Sequence, residues 1–285
     1  MILAGKTLVL TGANGGLGQE IARGLAGSGA RLVLVGMGLK VLENLATELG
    51  SETLQHCSLD LDLSQEQGIE ELVQFCQQLP EGIDGLINSA GLNRFAMLED
   101  HEYPATVKLF MVNLVAPIML TARLLPLLKT RQEAILVNIG SVLGAIGNPG
   151  YSTYCASKSG LARFSETLRR ELADTPVKVL HFNPRVIRTG MNSGPVNALN
   201  DKLGNKSDSP EAVAKLLVDR ILDERFGEYS VGWPEKLFVR INALLPGLVD
   251  RNFMKNLALI KTAARDERIE AGVAQSPAVK EPATN

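Results

Sequence analysis

The feature that most constrains this chain is a glycine-rich turn that follows its first apolar segment. Residues 6–11, KTLVLT, resemble a buried strand and run directly into TGANGGLG at 11–18, after which a helical pattern begins. Gly12 permits a tight turn, Gly16 lets the backbone approach a bound group, and Gly18 lets the helix pack closely on the strand. The start of that helix offers free N–H groups and a positive dipole end. The turn therefore predicts an α/β fold with a site for an anion such as a pyrophosphate.

Short apolar runs alternate with helical patterns through the first two-thirds of the chain. Strand-like runs lie at 6–11, 30–36, 52–59, 85–90, 134–140, 177–183 and 228–232, and helical patterns lie at 16–28, 38–49, 65–79, 101–128 and 152–174. The runs are apolar without clean alternation, which is typical of strands buried on both faces. This order predicts an α/β, doubly wound parallel sheet of about seven strands. A (β/α)8 barrel is disfavoured by the first turn and by too few strands.

The last third of the chain changes character. Residues 189–208 are rich in Gly, Asn and Ser and predict a mobile loop or short helical lid. We expect one domain over 1–232, a helical C-terminal extension over 233–270, and a disordered tail over 271–285. The extension is apolar and weakly amphipathic. It either packs over a substrate mouth or subunit interface, which we favour, or it makes peripheral membrane contact through 233–264.

Composition sets limits on the class of protein. The 285 residues are 45% apolar and 21% charged with a net charge of −2, which is ordinary for a soluble globular protein. There is no basic block, so we expect no nucleic acid partner. The three scattered cysteines suit a reducing cytoplasm, and the three histidines show no metal-ligand spacing, so we predict no metal. We expect neither a secretory signal nor a run that approaches about 18 apolar residues.

A second group of residues points to proton chemistry. Tyr154 and Lys158 are four apart and share a helix face, so the lysine could favour the phenolate of a tyrosine whose ordinary pKa is about 10. Ser141 follows the strand at 134–140, at the sheet edge where ligands bind. Asn113 lies inside an apolar helix, where its amide needs a partner. That partner is either part of a site or simply backbone.

These motifs together resemble the short-chain dehydrogenase/reductase family. TGANGGLG resembles its TGxxxGxG turn, Asn88-Ser89-Ala90-Gly91 resembles its NNAG, and Tyr154-Cys155-Ala156-Ser157-Lys158 with Ser141 resembles its Ser and Tyr-x-x-x-Lys pattern. The resemblance spans about residues 5–232 and implies a Rossmann-like fold. It implies catalytic roles for Asn113, Ser141, Tyr154 and Lys158. The cofactor-binding residues that it implies are Gly12, Asn14, Gly16, Leu17, Gly18, Asp62, Asn88, Ala90, Gly91, Tyr154, Lys158, Pro184, Ile187 and Thr189.

The chain departs from the family pattern at two places. Arg185 stands where the family usually has glycine, and it either recognises an anionic group or points to solvent. Gly36 and Met37 end the second strand without the acid of NAD-specific members or the arginine of many NADP-specific ones. Lys40 could supply a charge for a 2′-phosphate, so we expect NADP(H) to be preferred over NAD(H). Asp60 competes with Asp62 for the adenine.

The resemblance implies an NAD(P)-dependent oxidoreductase that interconverts a secondary alcohol and a carbonyl. The apolar lid and extension favour a lipophilic substrate, such as a 3-oxoacyl or steroid-like compound. The alternatives are a non-catalytic NAD(P)-sensing regulator or scaffold on the same fold, and a lyase or isomerase. By family analogy the helices at 101–128 and 152–174 would form the interface of a homodimer or homotetramer. We expect a cytoplasmic protein, with the membrane contact of the extension as the open alternative.

Overall fold

Seven apolar segments form one parallel sheet in the computed structural model, which describes residues 1–50, 54–233 and 235–275, without the side chains of 271–275. The strands are β1 Thr7–Thr11, β2 Arg31–Gly36, β3 Cys57–Asp60, β4 Gly85–Asn88, β5 Ala134–Ile139, β6 Val177–Asn183 and β7 Gly227–Ser230. Their spatial order is β3-β2-β1-β4-β5-β6-β7, and every neighbouring pair is parallel. The predicted doubly wound sheet is confirmed. The third strand is predicted at 52–59, and residues 52 and 53 lie outside the described residues. In the structure that strand is β3.

Helices connect the strands. They are α1 Gly16–Gly27, α2 Leu39–Glu48, α3 Glu66–Gln78, α4 Tyr103–Phe110, α5 Ala116–Lys129, α6 Ser152–Glu171, α7 Gly194–Lys202, α8 Pro210–Leu222, α9 Glu235–Leu244 and α10 Pro246–Gln275. Ser209 caps the start of α8, because its hydroxyl accepts the N–H of Ala212 at 3.3 Å. Helices α4 and α5 are joined without a break by one π-helical turn, Met111–Val115.

Both faces of the sheet are covered, because alternate strand residues feed two separate cores. One core joins Leu8, Leu34 and Phe182 to α1 and α8. The other joins Val9, Leu136 and Val179 to α3, α5 and α6. Burial on both faces explains why the strands lack an alternating polar pattern. The carboxyl ends of all seven strands are therefore left as the edge at which a ligand can enter.

The helix from Tyr103 to Lys129 is 27 residues long, and by length and composition it is apolar enough to cross a membrane. We predicted no run that approaches about 18 apolar residues, and that prediction missed this helix. In this fold the helix lies on the sheet, where α5 buries Ala116, Leu120 and Leu124 against the strands. A core helix of this kind passes the same length and composition test as a membrane span. The sheet accounts for the buried 44% of the apolar window.

The C-terminal extension forms two helices, α9 and α10, that fold back over the carboxyl edge of the sheet. Helix α10 packs on α7, the helix inside the predicted lid, through Val196, Leu199 and Ile260. The Ser193 hydroxyl donates to the Glu267 carboxylate at the same contact. Helix α10 continues to Gln275, into the predicted tail. The rest of that tail lies outside the described residues. The domain limits at 232 and 270 remain predictions.

Candidate active site

The glycine-rich turn holds β1 and β4 together at the sheet edge. Gly12 has a φ of +68°, and a Cβ there would lie 2.7 Å from the Cα of Ala90, so only glycine fits. The Thr11 hydroxyl oxygen accepts the N–H groups of Ser89 and Ala90, both at 3.1 Å. The carboxyl ends of β1 and β4 are therefore held rigidly together. Thr11 is the first residue of the TGANGGLG motif, but the motif by itself did not predict this hydrogen-bonding role.

Helix α1 begins beside these strand ends, and its N-terminus suits an anion. Gly16, Leu17 and Gly18 line the cavity described below, and no side chain of the described residues caps the helix start. Free N–H groups at a helix start are a favourable site for a pyrophosphate. Gly18 also lies so close to the carbonyl oxygen of Gly12 that a side chain there would collide with it. The turn therefore fits the phosphates of a dinucleotide.

A cavity of about 1010 Å³ lies between this edge and the C-terminal extension. Most of the predicted site residues line it, namely Gly12, Asn14, Gly16, Leu17, Gly18, Asp62, Ala90, Gly91, Ser141, Tyr154, Lys158, Pro184, Ile187 and Thr189. The remaining two, Asn88 and Asn113, lie behind the wall. Residues that are far apart in sequence thus meet around one space large enough for a ligand.

Tyr154 and Ser141 form the polar centre of the cavity. Burial raises the pKa of Tyr154 to about 12, although a hydrogen bond with the Ser141 side chain acts to lower it. Ser141 also caps the short 3-10 turn Val142–Gly144, since its oxygen accepts the N–H of Leu143 at 3.1 Å. The serine is therefore fixed in place, and the tyrosine keeps its proton across the neutral range.

Lys158 lies one helical turn from Tyr154 and is 5% exposed. Its Nζ donates to the carbonyl oxygen of Ile139 at 2.9 Å and lies 5.9 Å from the centre of the Tyr154 ring. Burial lowers the pKa of Lys158 to about 8. Burial dominates the pKa of Tyr154, and the expected effect of Lys158 on the phenolate, together with the positive nicotinamide of an oxidised cofactor, stays a prediction.

Asn113 sits in the π-helical turn Met111–Val115 and is fully buried. Its Oδ1 accepts the N–H of Leu92 at 2.7 Å, and its Nδ2 donates to the carbonyl oxygen of Leu92 at 2.9 Å and to the Ser157 hydroxyl at 3.1 Å. The structure thus satisfies this amide with backbone, one of the two alternatives weighed. A π-turn is a frequent mark of a functional site, and here it aims the amide at the chain beside Gly91.

Asn88 belongs to a row of polar side chains under helix α6. Its amide donates to Asn138 at 2.8 Å, Asn138 donates to Ser165 at 2.9 Å, and Ser165 lies 3.0 Å from the Nδ1 of His181. The three strand residues face one another in register across β4, β5 and β6. These four side chains lie beneath the cavity and do not line it, and the contact of Asn88 with a cofactor stays a prediction. No sequence motif pointed to Asn138 or Ser165.

The structure separates the roles of Asp62 and Asp60. Asp62 lines the cavity, and hydrogen bonds from Ser64 hold the pKa of its carboxyl below the usual range. Asp60 instead accepts the N–H groups of Gly38 at 3.0 Å and Leu39 at 3.1 Å, and so caps α2. Of the two acids, Asp62 thus lines the cavity, and its contact with an adenine stays a prediction. Lys40 is exposed.

Asn14 occupies the space beside the end of β2. Its amide donates to the carbonyl oxygen of Met37 at 2.9 Å, and it lies so close to Gly36 that a side chain there would overlap it. A side chain at position 36 would therefore displace the Asn14 side chain. This contact gives a packing reason for the lack of an acid at position 36 that is independent of cofactor choice.

Arg185 does not point to solvent. Its guanidinium makes two hydrogen bonds to Asp208, at 2.8 and 2.6 Å, and two to Glu235, at 3.2 and 3.4 Å. The solvent alternative is wrong, because acids from two distant segments reach the side chain. Arg185 also lines the cavity, and its recognition of an anionic group stays a prediction. The pair of carboxylates raises the pKa of the arginine further above its ordinary value. Arg185 thus links the end of the lid to the start of α9.

The extension supplies a wall of the cavity that the motifs did not reveal. The residues that it contributes include Phe238, Ile241, Leu248, Phe253 and Ile260. Tyr151 completes the apolar side, with its ring centre 4.8 Å from Phe95 and 6.2 Å from Tyr154. Only the apolar character of the extension hinted at this role. Among the described residues, no group of three or more His, Cys, Asp or Glu side chains could hold a metal ion.

Comparison with known proteins gives a consistent result. A family model described as short chain dehydrogenase matches residues 6–198. The chain is 30% identical to dehydrogenase/reductase SDR family member 7B of Bos taurus over 273 residues, which are 92% of this chain and 82% of that protein. That match extends across the C-terminal extension.

Solved structures share the fold at lower identity. A short-chain dehydrogenase/reductase from Burkholderia phymatum in complex with NAD superposes with a TM-score of 0.78 at 21% identity, covering 87% of this chain and 96% of that one. An L-sorbose reductase from Gluconobacter frateurii, complexed with NADPH and L-sorbose, gives a TM-score of 0.72 at 23% identity, covering 80% and 95%.

Proposed function

Since the chain belongs to the short-chain dehydrogenase/reductase family, whose members are NAD(P)-dependent oxidoreductases, we propose that it interconverts an alcohol and a carbonyl at Tyr154. The observation that carries the proposal is the meeting of Tyr154, Ser141 and Lys158 in one cavity with the phosphate-binding turn. A regulator without turnover would have no need of a proton donor at that position.

The chain's own residues account for binding and proton transfer. A nicotinamide cofactor, when bound, supplies or accepts the hydride. The start of α1 would hold its phosphates, Asp62 its adenine, and Lys158 a ribose hydroxyl. Tyr154 donates its proton to the carbonyl oxygen as the alcohol forms, and Ser141 stabilises the charge on that oxygen. A tyrosine with a raised pKa is protonated and ready for the reductive direction.

The decisive variant is Tyr154→Phe, which removes one hydroxyl from the cavity and leaves the ring. We expect turnover to fall by about 100-fold or more, because a positioned proton donor contributes that much. Cofactor affinity, measured by nucleotide fluorescence, should change little. Turnover close to the unmodified rate would contradict the assignment.

A matched control is Tyr151→Phe, the neighbouring tyrosine in the same cavity. It loses the same hydroxyl, but that hydroxyl has no proposed part in the reaction. We expect its turnover to stay within about threefold of the unmodified enzyme, since only one polar contact is removed. Equal losses in both variants would indicate damage to the cavity and not the loss of a proton donor.

We propose that the substrate is lipophilic. Support comes from Phe238, Leu248 and Phe253 of the extension and from Val142 and Ile146, which line the same cavity as Tyr154. Each buried methylene stabilises a bound ligand by about 0.8 kcal/mol. A series of ketones of increasing chain length should therefore show KM falling with each added carbon. A KM independent of chain length would contradict this part of the proposal.

The expected preference for NADP(H) remains a proposal, and the position of Asp60 limits it. Its carboxylate occupies the first N–H groups of α2, next to Met37, and brings negative charge to the region where a 2′-phosphate would bind. We propose that the preference is therefore weak. Asp60→Asn, which can still cap the helix, should improve NADPH binding relative to NADH by about fivefold.

The matched control for that comparison is Asp62→Asn. Both dinucleotides carry the same adenine, so this change should weaken them equally and leave their ratio unaltered. Dissociation constants for NADPH and NADH, measured at one ionic strength, test both variants. A ratio unchanged by Asp60→Asn would remove Asp60 from the discrimination.

A further inference from the structure

The turn between α9 and α10 carries an exposed apolar tip. We define it as Leu244, Leu245 and Leu248, whose exposed fractions are 79%, 58% and 53%. Leu237 and Phe238, on the helix leading to the tip, are 41% and 49% exposed. Exposed apolar side chains grouped in this way mark a surface for another partner more often than a free surface.

Cations surround this tip. The extension over 233–264 contains five basic residues and two acidic ones, whereas the whole chain has a net charge of −2. Arg240 lies one helical turn before Leu244, and Arg251 and Lys255 follow Leu248; all three are exposed. Among the residues that the structure describes, none forms an ion pair with these three. Of the two acids, Glu235 is held by Arg185, and Asp250 is exposed beside Arg251, so Arg240, Arg251 and Lys255 outnumber the one acid near the tip.

The tip is also the rim of the cavity. Phe238 and Leu248 are half-exposed to solvent and at the same time line the cavity that contains Tyr154. A ligand that passes between them reaches the reaction centre without leaving an apolar surface. A lipophilic compound in a bilayer could follow that route directly.

We propose that this tip docks on a lipid surface with anionic headgroups, and that the cavity takes its substrate from that surface. The leucines insert at the level of the headgroups, and Arg240, Arg251 and Lys255 contact the phosphate and carboxylate groups. Docking does not depend on the reaction, whereas the delivery of substrate rests on the proposed function.

The test is sedimentation of the full chain with vesicles of phosphatidylcholine alone and of phosphatidylcholine mixed with phosphatidylserine. We expect the full chain to sediment with the anionic vesicles. Each lost cation should weaken the affinity for anionic vesicles by about fivefold, and Arg251→Gln should therefore bind them about fivefold more weakly.

The decisive variant is Leu244→Glu with Leu245→Glu, two exposed residues outside the cavity lining. We expect vesicle partitioning to fall by about tenfold or more, with turnover of a small water-soluble ketone unchanged. The matched control is Ile2→Glu, which is 78% exposed at the opposite end of the sheet and should partition normally.

Two results would overturn the proposal. One is an unmodified chain that stays in the supernatant with both kinds of vesicle. The other is a double variant that binds vesicles as well as the unmodified chain. If the double variant changes the molecular mass in light scattering while no vesicle binding is seen, the tip is a contact between copies of the chain. Vesicle binding without turnover of any ketone would contradict the proposed function and leave the docking surface standing.

Discussion

At the residue scale, the reaction centre depends on how deeply Lys158 and Tyr154 are buried. Burial acts in opposite directions on them, because it disfavours the charged form of each: it lowers the pKa of the lysine to about 8 and raises that of the tyrosine to about 12. An ammonium with so little water around it costs folding stability. The enzyme tolerates that cost at the point where a cation is useful.

Lys158→Met should therefore stabilise the fold while it removes turnover. The folded-state pKa of the lysine lies below its ordinary 10.5, so stability present above about pH 10.5 is lost as pH falls to about 8. At neutral pH the variant should be more stable by about 3 kcal/mol, and the difference should shrink as pH rises from about 8 to about 10.5. Urea unfolding at several pH values measures this.

Lys202→Met, at an exposed position on α7, controls for the added apolar side chain. It should leave the free energy of unfolding within about 0.5 kcal/mol. If Lys158→Met were less stable than the unmodified protein at neutral pH, the hydrogen bond from Nζ to Ile139 would outweigh the cost of burial.

At the element scale, Arg185 connects three segments that are far apart in sequence. It extends from the end of β6, binds Asp208 where the lid segment ends, and binds Glu235 where α9 begins. All three side chains are largely buried. A bidentate pair of this kind is specific for the planar guanidinium, so a lysine would reproduce only part of it.

Arg185→Ala should loosen the lid and destabilise the protein by about 2–3 kcal/mol, because two carboxylates lose their partner. Limited proteolysis should then cleave within 189–208 faster, and KM should rise more than kcat falls. For Arg185→Lys, the stability, the rate of proteolysis and the KM should lie between those of the unmodified protein and those of Arg185→Ala. Unchanged proteolysis of the alanine variant would show that the contact of α7 with α10 holds the lid without Arg185.

At the scale of the whole molecule, the buried polar row beneath α6 makes stability depend on pH. Burial, and then the charge of Lys158, lowers the pKa of His181 to about 4. The unfolded chain takes up a proton near pH 6.5 and the folded one does not, so stability present above about pH 6.5 is lost as pH falls toward 4. His56 is shifted in the same direction by burial.

His181→Gln should make the protein less sensitive to acid. The unmodified protein should lose about 2 kcal/mol of unfolding free energy from His181 between about pH 7 and pH 5. The variant should lack that part of the loss and retain the part due to His56. Parallel curves of unfolding free energy against pH would contradict the role given to His181.

The sequence by itself determined the order of strands and helices, the phosphate-binding turn, and the residues Ser141, Tyr154 and Lys158. These depend on local properties: the apolar period of each segment, the positive φ at Gly12, and the spacing of two side chains along one helix. They can be read without knowing which distant elements meet. The doubly wound sheet then follows because alternating strands and helices have few ways to bury both sheet faces.

Only the tertiary structure decided the partners of the remaining residues. Asn113 forms hydrogen bonds with the backbone of Leu92. Arg185 pairs with Asp208 and Glu235, and Asp60 caps the start of α2. The direction of the pKa shift at Tyr154 and the apolar wall from α9 and α10 were likewise decided by packing. Each joins parts of the chain that lie far apart in sequence. Burial and charge pairing depend on distances in space, and no local pattern encodes them.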